Sequence, residues 1–144
     1  MNKLYDQDYF GWANEQAALL RAGNLSAADI ENIAEEIESM AKGEKRELVN
    51  WLIVLLLHLL KWQFQPELRG RSWEATILEQ RDRIARHMQE NPSLKPNLPD
   101  AMQEAYRVAR IRARGETNLS SKFFPAECPC AYAQAMDANF WPGP

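Results

Sequence analysis

The apolar positions of the chain are most concentrated between residues 44 and 65, in the stretch EKRELVNWLIVLLLHLLKWQFQ. Within it, residues 51–60 contain a single polar side chain, that of His58. A run this long and this apolar is typical of a helix that is buried on most of its surface. We therefore predict a central helix around which the rest of the chain packs.

Two further helices are predicted before this stretch. Apolar residues recur at helical spacing over residues 6–21, and Gly23 follows as a stop. Ser26 stands three residues before Asp29, a capping-box pattern that starts a second helix. Gly43 is expected to break or bend the chain, so that the second and central helices lie antiparallel. The predicted buried stripe of the second helix is Ile30, Ile33, Ala34, Ile37, Met40 and Ala41.

The pattern after the central helix predicts two more helices and a tail. Pro66 ends the central helix, and Ser72 caps a fourth helix. Residues 100–114 again show helical spacing, and Gly115 is the expected stop of this fifth helix. The aromatic and proline-rich C-terminal segment predicts at most a short helix after Pro129, with its aromatic side chains buried.

Almost no alternating pattern typical of β-strands occurs, so the predicted fold class is all-α. The 144 residues, 46% of them hydrophobic, are enough to bury one core. We predict a single domain over residues 1–144: a helical bundle of about five helices, with a central buried helix and an aromatic C-terminal tail.

The charge is unevenly distributed. Residues 1–45 hold four Lys/Arg and nine Asp/Glu, whereas the rest of the chain holds 13 and 11. This asymmetry falls short of a nucleic-acid-binding signature. The first residues are polar and acidic, unlike a signal peptide, and the central apolar run is about half the ~20 residues that span a bilayer. A cytoplasmic protein without membrane contact is expected.

Five segments of the chain resemble a known family. They are YDQDYFGWANEQAALLRAG, IENIAEEIESM, KRELVNWLIVLLLHLLKWQFQPE, RSWEATILEQRDRIARHMQENPSL and FPAECPCAYAQAMDANFWP. In this order they resemble the bacterial "domain of unknown function" family twenty-nine. The resemblance implies a small all-α bacterial protein with no assigned activity, substrate or cofactor. Cys130 and Tyr132 depart from the family, which more often reads Cys-Pro-Tyr or Cys-Pro-Trp here, so any role of the second thiol would be particular to this protein.

The central helix carries one polar stripe that includes His58 and Lys61. An interior histidine must both donate and accept hydrogen bonds, so we expect a carboxylate of the second helix opposite it. Lys61 and Arg69 would complete a charge-balanced cluster, and Arg81 is expected to pair with a glutamate. The candidate binding residues are Glu35, Glu38, His58, Lys61, Arg69 and Arg81.

Metal and cofactor chemistry is not predicted. The side chains of His58, His87, Cys128 and Cys130 are the right types for zinc, but their spacing does not match that of structural zinc sites. The glutamates of the second helix lack the Glu-x-x-His motif of carboxylate metal sites. We expect free thiols, because a pair separated by one residue cannot close an unstrained disulfide.

Three functional hypotheses remain. Five tryptophans and long apolar faces favour a protein-interaction module, acting on a protein partner or on a second copy of the chain. An enzyme with a His58/Glu pocket is the first alternative, because a buried imidazole beside a carboxylate could exchange protons. The second is a nucleic-acid-associated module that uses arginines around the fourth helix and on one face of the fifth. Acidic residues interleave with the first group, and no recognition helix is evident, which argues against this hypothesis. The arginines are Arg69, Arg71, Arg81, Arg83 and Arg86 in the first group and Arg107, Arg110 and Arg114 in the second. No catalytic residue is assigned.

Overall fold

The computed structural model describes residues 3–143, without the side chains of Lys3 and Ser121. Within this range there is no strand, so the all-α prediction is confirmed. The α-helices are α1 (Lys3–Gln7), α2 (Tyr9–Arg21), α3 (Ile30–Phe64), α4 (Arg71–Glu90), α5 (Leu98–Thr117) and α6 (Tyr132–Met136). Short 3₁₀ helices span Pro66–Leu68, Pro92–Asn97 and Ser121–Phe123.

Helix α3 runs without interruption over 35 residues. The prediction of two antiparallel helices separated at Gly43 is therefore wrong. A glycine inside a helix costs only about 0.5–1 kcal/mol relative to alanine. Continued backbone hydrogen bonding through good helix-forming neighbours outweighs that cost, so one glycine does not end the helix.

The chain divides into two compact units, Met1–Glu44 and Lys45–Pro144. The first 15 residues of α3 belong to the N-terminal unit, and its apolar remainder belongs to the C-terminal unit. A single domain over residues 1–144 therefore stays a prediction.

In the N-terminal unit, α2 contacts the start of α3 through polar side chains. Trp12 is buried, and its Nε1–H donates to Asp29 Oδ2 at 3.0 Å. The backbone N–H of Asp29 donates to Oε1 of buried Gln16 at 2.6 Å. The predicted capping box is absent, because the Ser26 hydroxyl donates to Asn24 instead. A side chain of another helix thus supplies the hydrogen bond that we expected from Ser26.

In the C-terminal unit, the apolar run of α3 is the core. Leu52 and Leu55 of α3 are completely buried, together with Ile77 and Ile84 of α4. By length and composition α3 could also cross a membrane, although this is weak evidence because core helices pass the same test. The predicted buried central helix is confirmed for this part of α3.

Several helix ends differ from the predicted ones. Gly115 lies within α5, which continues to Thr117 and ends at Asn118, a residue with a φ of 59° in the left-handed region. Helix α4 begins at Arg71, with Gly70 as its N-cap in place of Ser72. The predicted end of α3 before Pro66 and the short helix after Pro129 are confirmed.

The predicted burial of the aromatic side chains in the tail is only partly confirmed. Phe124 is buried, and Phe140 and Trp141 are half-buried against the core. Phe123 is 56% exposed, so its predicted burial is wrong. Adjacent residues in this irregular segment point in different directions, and one of the two phenylalanines faces away from the core.

The core position of α3 can be tested by deleting buried methyl groups. Leu56→Ala or Leu59→Ala should lower the free energy of unfolding by about 2–5 kcal/mol, because each leaves a cavity. Chemical denaturation followed by circular dichroism measures the change. Leu78→Ala is the control: Leu78 is 47% exposed on α4, and its truncation should stay within about 0.5 kcal/mol. Equal stability of all three variants would contradict the packing.

The continuity of α3 can be tested at Gly43. A Cβ placed there meets nothing within 4 Å, so Gly43→Ala should raise the free energy of unfolding by about 0.5–1 kcal/mol. Gly23 has a φ of +73°, so Gly23→Ala should instead destabilise, by about 1–2 kcal/mol. Denaturation curves of the two variants and the parent measure both changes in the free energy of unfolding. A destabilising Gly43→Ala would indicate a break in the helix at this residue.

Candidate functional site

The expected hydrogen bond between His58 and a carboxylate of the second helix does not form. Glu35 and Glu38 lie on the same continuous helix as His58, which follows Glu38 by 20 residues, about five and a half turns. Residues of one helix that are so far apart in sequence cannot face each other. The prediction is wrong because it depended on an antiparallel pair of helices.

His58 and Lys61 have other partners. The half-buried imidazole of His58 donates through Nδ1–H to the backbone carbonyl of Val54 at 2.8 Å, and desolvation lowers its pKa. Lys61 Nζ forms an ion pair with Glu116 Oε1 of α5 at 2.8 Å and lies 5.4 Å from the centre of the Trp73 ring. A charge-balancing glutamate therefore exists, but α5 supplies it. Nothing in the sequence pattern predicts this pairing, because the two residues are 55 positions apart.

Arg69 and Arg81 bind the C-terminal tail. Arg69 Nε–H donates to Trp62 O at 2.6 Å, and its Nη2 donates to Pro142 O at 3.3 Å. Arg81 is only 5% exposed, and it donates to Ala135 O and Phe140 O, both at 2.8 Å. The predicted pairing of Arg81 with a glutamate is wrong, since these bonds go to backbone carbonyls. The six predicted residues do not form one cluster.

An open cavity of about 860 Å³ lies between α5 and the tail. Its lining includes Tyr106 and Arg110 of α5 and Cys128 of the tail. The Tyr106 hydroxyl donates to Pro125 O at 2.6 Å, and burial raises its pKa to about 12. Arg110 donates to Phe124 O at 3.3 Å. The same α5 residues thus line the cavity and fix the segment that forms its other wall.

The two cysteines of the tail are free, as predicted, and both are half-buried. Their sulfur atoms lie 4.0 Å apart, and the Cys128 thiol also lies 3.1 Å from the backbone oxygen of Cys130. The hydrogen bond from the Cys130 side chain lowers the pKa of Cys128 to about 7, and the same contact raises the pKa of Cys130. The structure thus makes two adjacent thiols chemically unequal. In the described residues, no group of three or more His, Cys, Asp or Glu side chains could hold a metal ion.

The predicted buried stripe of the second helix is largely exposed, and of its six residues only Ile33 is half-buried. The large side chains of Ile30, Ile37 and Met40 are 53%, 60% and 68% exposed. We call Ile30, Ala34, Ile37, Met40 and Ala41 the apolar face of α3. These five residues fall within an arc of about 120° at 100° per residue.

The exposure has a simple cause. Tyr5 and Tyr9 both donate hydrogen bonds to Glu36, and Trp12 donates to Asp29. These contacts hold α1 and α2 against the edge of α3 that carries Asp29 and Glu36, beside the apolar face. The side chains of Ile30, Ile37 and Met40 remain more than half exposed. Helical periodicity identified the face correctly but could not show whether another helix would cover it.

The family comparison agrees with the resemblance seen in the sequence. Residues 4–141 match the family described as Domain of unknown function DUF29. The chain belongs to the DUF29 family. No curated protein and no solved structure matches it.

The DUF29 match includes both structural units, but the family description carries no activity. Any functional inference must therefore start from the geometry of this DUF29 chain. Its two most distinctive features are the apolar face of α3 in the N-terminal unit and the thiol pair beside the α5 cavity in the C-terminal unit.

Because the two thiols have different pKa values, we predict how the rate of their alkylation depends on pH. The thiolate is the reactive form, so the rate of Cys128 modification by iodoacetamide should rise with pH through a midpoint near 7. Cys130, with its raised pKa, should react more slowly. Tandem mass spectrometry assigns the modified residue. In Cys130→Ala the midpoint should move up towards about 8.5, the value of an ordinary thiol. Faster modification of Cys130 in the parent would contradict this order of the two pKa values.

Proposed function

We propose that this DUF29 protein is a protein-interaction module whose N-terminal unit binds a basic amphipathic helix of a partner protein on the apolar face of α3. The observation that carries the proposal is the exposure of Ile30, Ile37 and Met40 on one side of a helix. Contiguous exposed apolar side chains with a polar rim are typical of interaction sites. Helices that bind to such faces use apolar residues at intervals of three or four positions.

Burial of this face would supply the binding energy. Transfer of apolar surface out of water is favourable by about 25 cal/mol per Å², so covering several large side chains can offset the cost of ordering a partner segment. Phe10 on α2, which is 80% exposed, offers a further large apolar side chain in the same unit.

The charge next to the apolar face indicates the chemistry of the partner. Glu31, Glu35 and Glu38 are exposed along one flank of α3, next to Lys42. None of these three carboxylates takes part in the ion pairs found in the described residues. Lys or Arg side chains beside the apolar residues of a partner helix would complement this flank and speed association.

The two alternative functions have less support. The enzyme hypothesis requires a carboxylate hydrogen-bonded to His58. Instead, His58 Nδ1–H donates to the backbone carbonyl of Val54 in its own helix. The nucleic-acid hypothesis needs free arginines on α5, but Arg107 forms an ion pair with Glu104 at 2.8 Å and Arg110 donates to Phe124 O. The apolar face of α3 has no comparable internal use.

A synthetic peptide of leucine and lysine, patterned as an amphipathic helix of about five turns, is a suitable probe. Fluorescence anisotropy of the labelled peptide should show saturable binding to the full-length protein. The double variant Ile37→Ser/Met40→Ser should weaken binding at least about tenfold, because two central apolar contacts are lost. Leu78→Ser, on α4, is the matched control and should bind like the parent.

Two peptide controls separate docking from simple charge attraction. A peptide with glutamate in place of lysine and a scrambled leucine/lysine peptide should both bind weakly. Equal binding of the scrambled peptide, or unchanged binding by the double variant, would contradict the proposal. If sedimentation shows a dimer that Ile37→Ser/Met40→Ser converts to monomers, then the occupant is a second copy and the basic-partner proposal fails.

A further inference from the structure

The thiol pair in the C-terminal unit has a geometry suited to a ligand. Cys128 and Cys130 place their sulfur atoms 4.0 Å apart, and Cys128 lines the open cavity beside α5. A disulfide requires an S–S distance of about 2.05 Å and a specific torsion, which a single intervening residue strains. Because Pro129 is that residue, the backbone between the thiols is also restricted. Both sulfurs therefore remain available to bind a third atom.

The spacing of the sulfurs is that of two ligands on one metal ion. With metal–sulfur bonds of about 2.3 Å, a tetrahedral ion separates two thiolates by about 3.8 Å and a linear one by about 4.6 Å. The observed 4.0 Å lies between these values, so a small side-chain rotation reaches either arrangement. Distance alone does not choose the metal.

The number of available ligands indicates which metal ion the site can bind. Structural zinc takes four protein ligands, and the described residues contain no cluster of three or more suitable side chains. Thiolates also select Cu(I), a soft ion. Cu(I) is satisfied by two thiolates on opposite sides, so a lone thiol pair is sufficient for it.

The charge of the surroundings fits a copper complex with two thiolates. Such a complex carries one net negative charge, and Arg81 provides a positive charge that interacts electrostatically with Asp137 and with Cys130. The Arg81 side chain is 5% exposed, and its Nη1 has no hydrogen-bond partner in the described residues. A buried donor without a partner costs free energy, and a nearby anionic complex would remove that cost.

We propose that Cys128 and Cys130 form a two-coordinate site for Cu(I), with Arg81 as the compensating charge. Each thiol gives its proton to solvent, and two S–Cu bonds replace two S–H bonds. The ion remains Cu(I), no electron is transferred, and the charge changes from +1 on the free ion to −1 on the complex. The site lies in the C-terminal unit and is independent of the docking proposed for the N-terminal unit.

The test uses the full-length, fully reduced protein under anaerobic conditions. It is titrated against Cu(I) held by the coloured chelator bicinchoninate, so that loss of colour reports transfer to the protein. We expect one Cu(I) per chain, and two sulfur neighbours around copper in X-ray absorption spectra. Cys128→Ser and Cys130→Ser should each abolish transfer at chelator concentrations where the parent competes.

Two further variants isolate the role of each group. Met102→Leu removes a sulfur atom from the cavity lining and should leave transfer unchanged. Arg81→Lys should weaken affinity by about tenfold at unchanged stoichiometry, as expected when a neighbour of the ligands is altered. Circular dichroism checks that each variant is folded. Because Arg81 also holds the tail, the two Cys→Ser variants decide the proposal if Arg81→Lys unfolds.

Several results would overturn the copper site. These are transfer that survives either Cys→Ser change, three or four sulfur neighbours around copper, and a complex containing two protein chains per ion. Tighter binding of Zn(II) than of Cu(I) in parallel competition titrations would overturn it as well.

Discussion

Burial of the leucine-rich part of α3 is the constraint on which the C-terminal unit depends. The run from Trp51 to Leu60 cannot be exposed to water without a large cost, so α4, α5 and the tail are arranged to cover it. Helix α4 contributes large side chains such as Ile77 and Ile84, whereas α5 contributes Met102 and Tyr106 together with a row of alanines. The buried alanines of α5 are Ala101, Ala105, Ala109 and Ala113, each four residues from the next. Small residues at this interval let a helix backbone approach its neighbour closely.

The tail is held mainly by hydrogen bonds to its backbone. Four side chains donate to backbone carbonyl oxygens of residues beyond 123: those of Arg69, Arg81, Tyr106 and Arg110. Arg69 also donates to the carbonyl of Trp62 near the end of α3. An irregular segment on a core needs such donors, because its backbone lacks the internal hydrogen bonds of a helix. One of these donors, Arg81, is a buried cation whose charge interacts with Cys130 of the tail. The cavity, the thiol pair and the anchoring of the tail are thus parts of one arrangement.

The N-terminal unit is built on a different principle. Its contacts to the start of α3 include hydrogen bonds donated by Tyr5, Tyr9 and Trp12. Gln16 accepts a further hydrogen bond from the backbone N–H of Asp29, and these contacts cover only one side of the helix. Hydrogen bonds fix orientation but contribute little net stability, about 1 kcal/mol each. A unit held in this way can leave its apolar face open for a partner. The C-terminal unit, by contrast, uses its apolar surface for its own core.

The sequence by itself determined the helical class, the buried run of α3, its end before Pro66 and the DUF29 family, because periodicity, polarity and proline act through neighbours along the chain. The predicted break at Gly43 does not occur, because the free-energy cost of one glycine is small compared with the continued hydrogen bonding of the helix. The tertiary structure alone decided that Glu116 pairs with Lys61, that Arg81 binds tail carbonyls and that the apolar face of α3 stays uncovered. These outcomes depend on which distant segments meet in space, and the helical pattern of any one segment is compatible with many such arrangements.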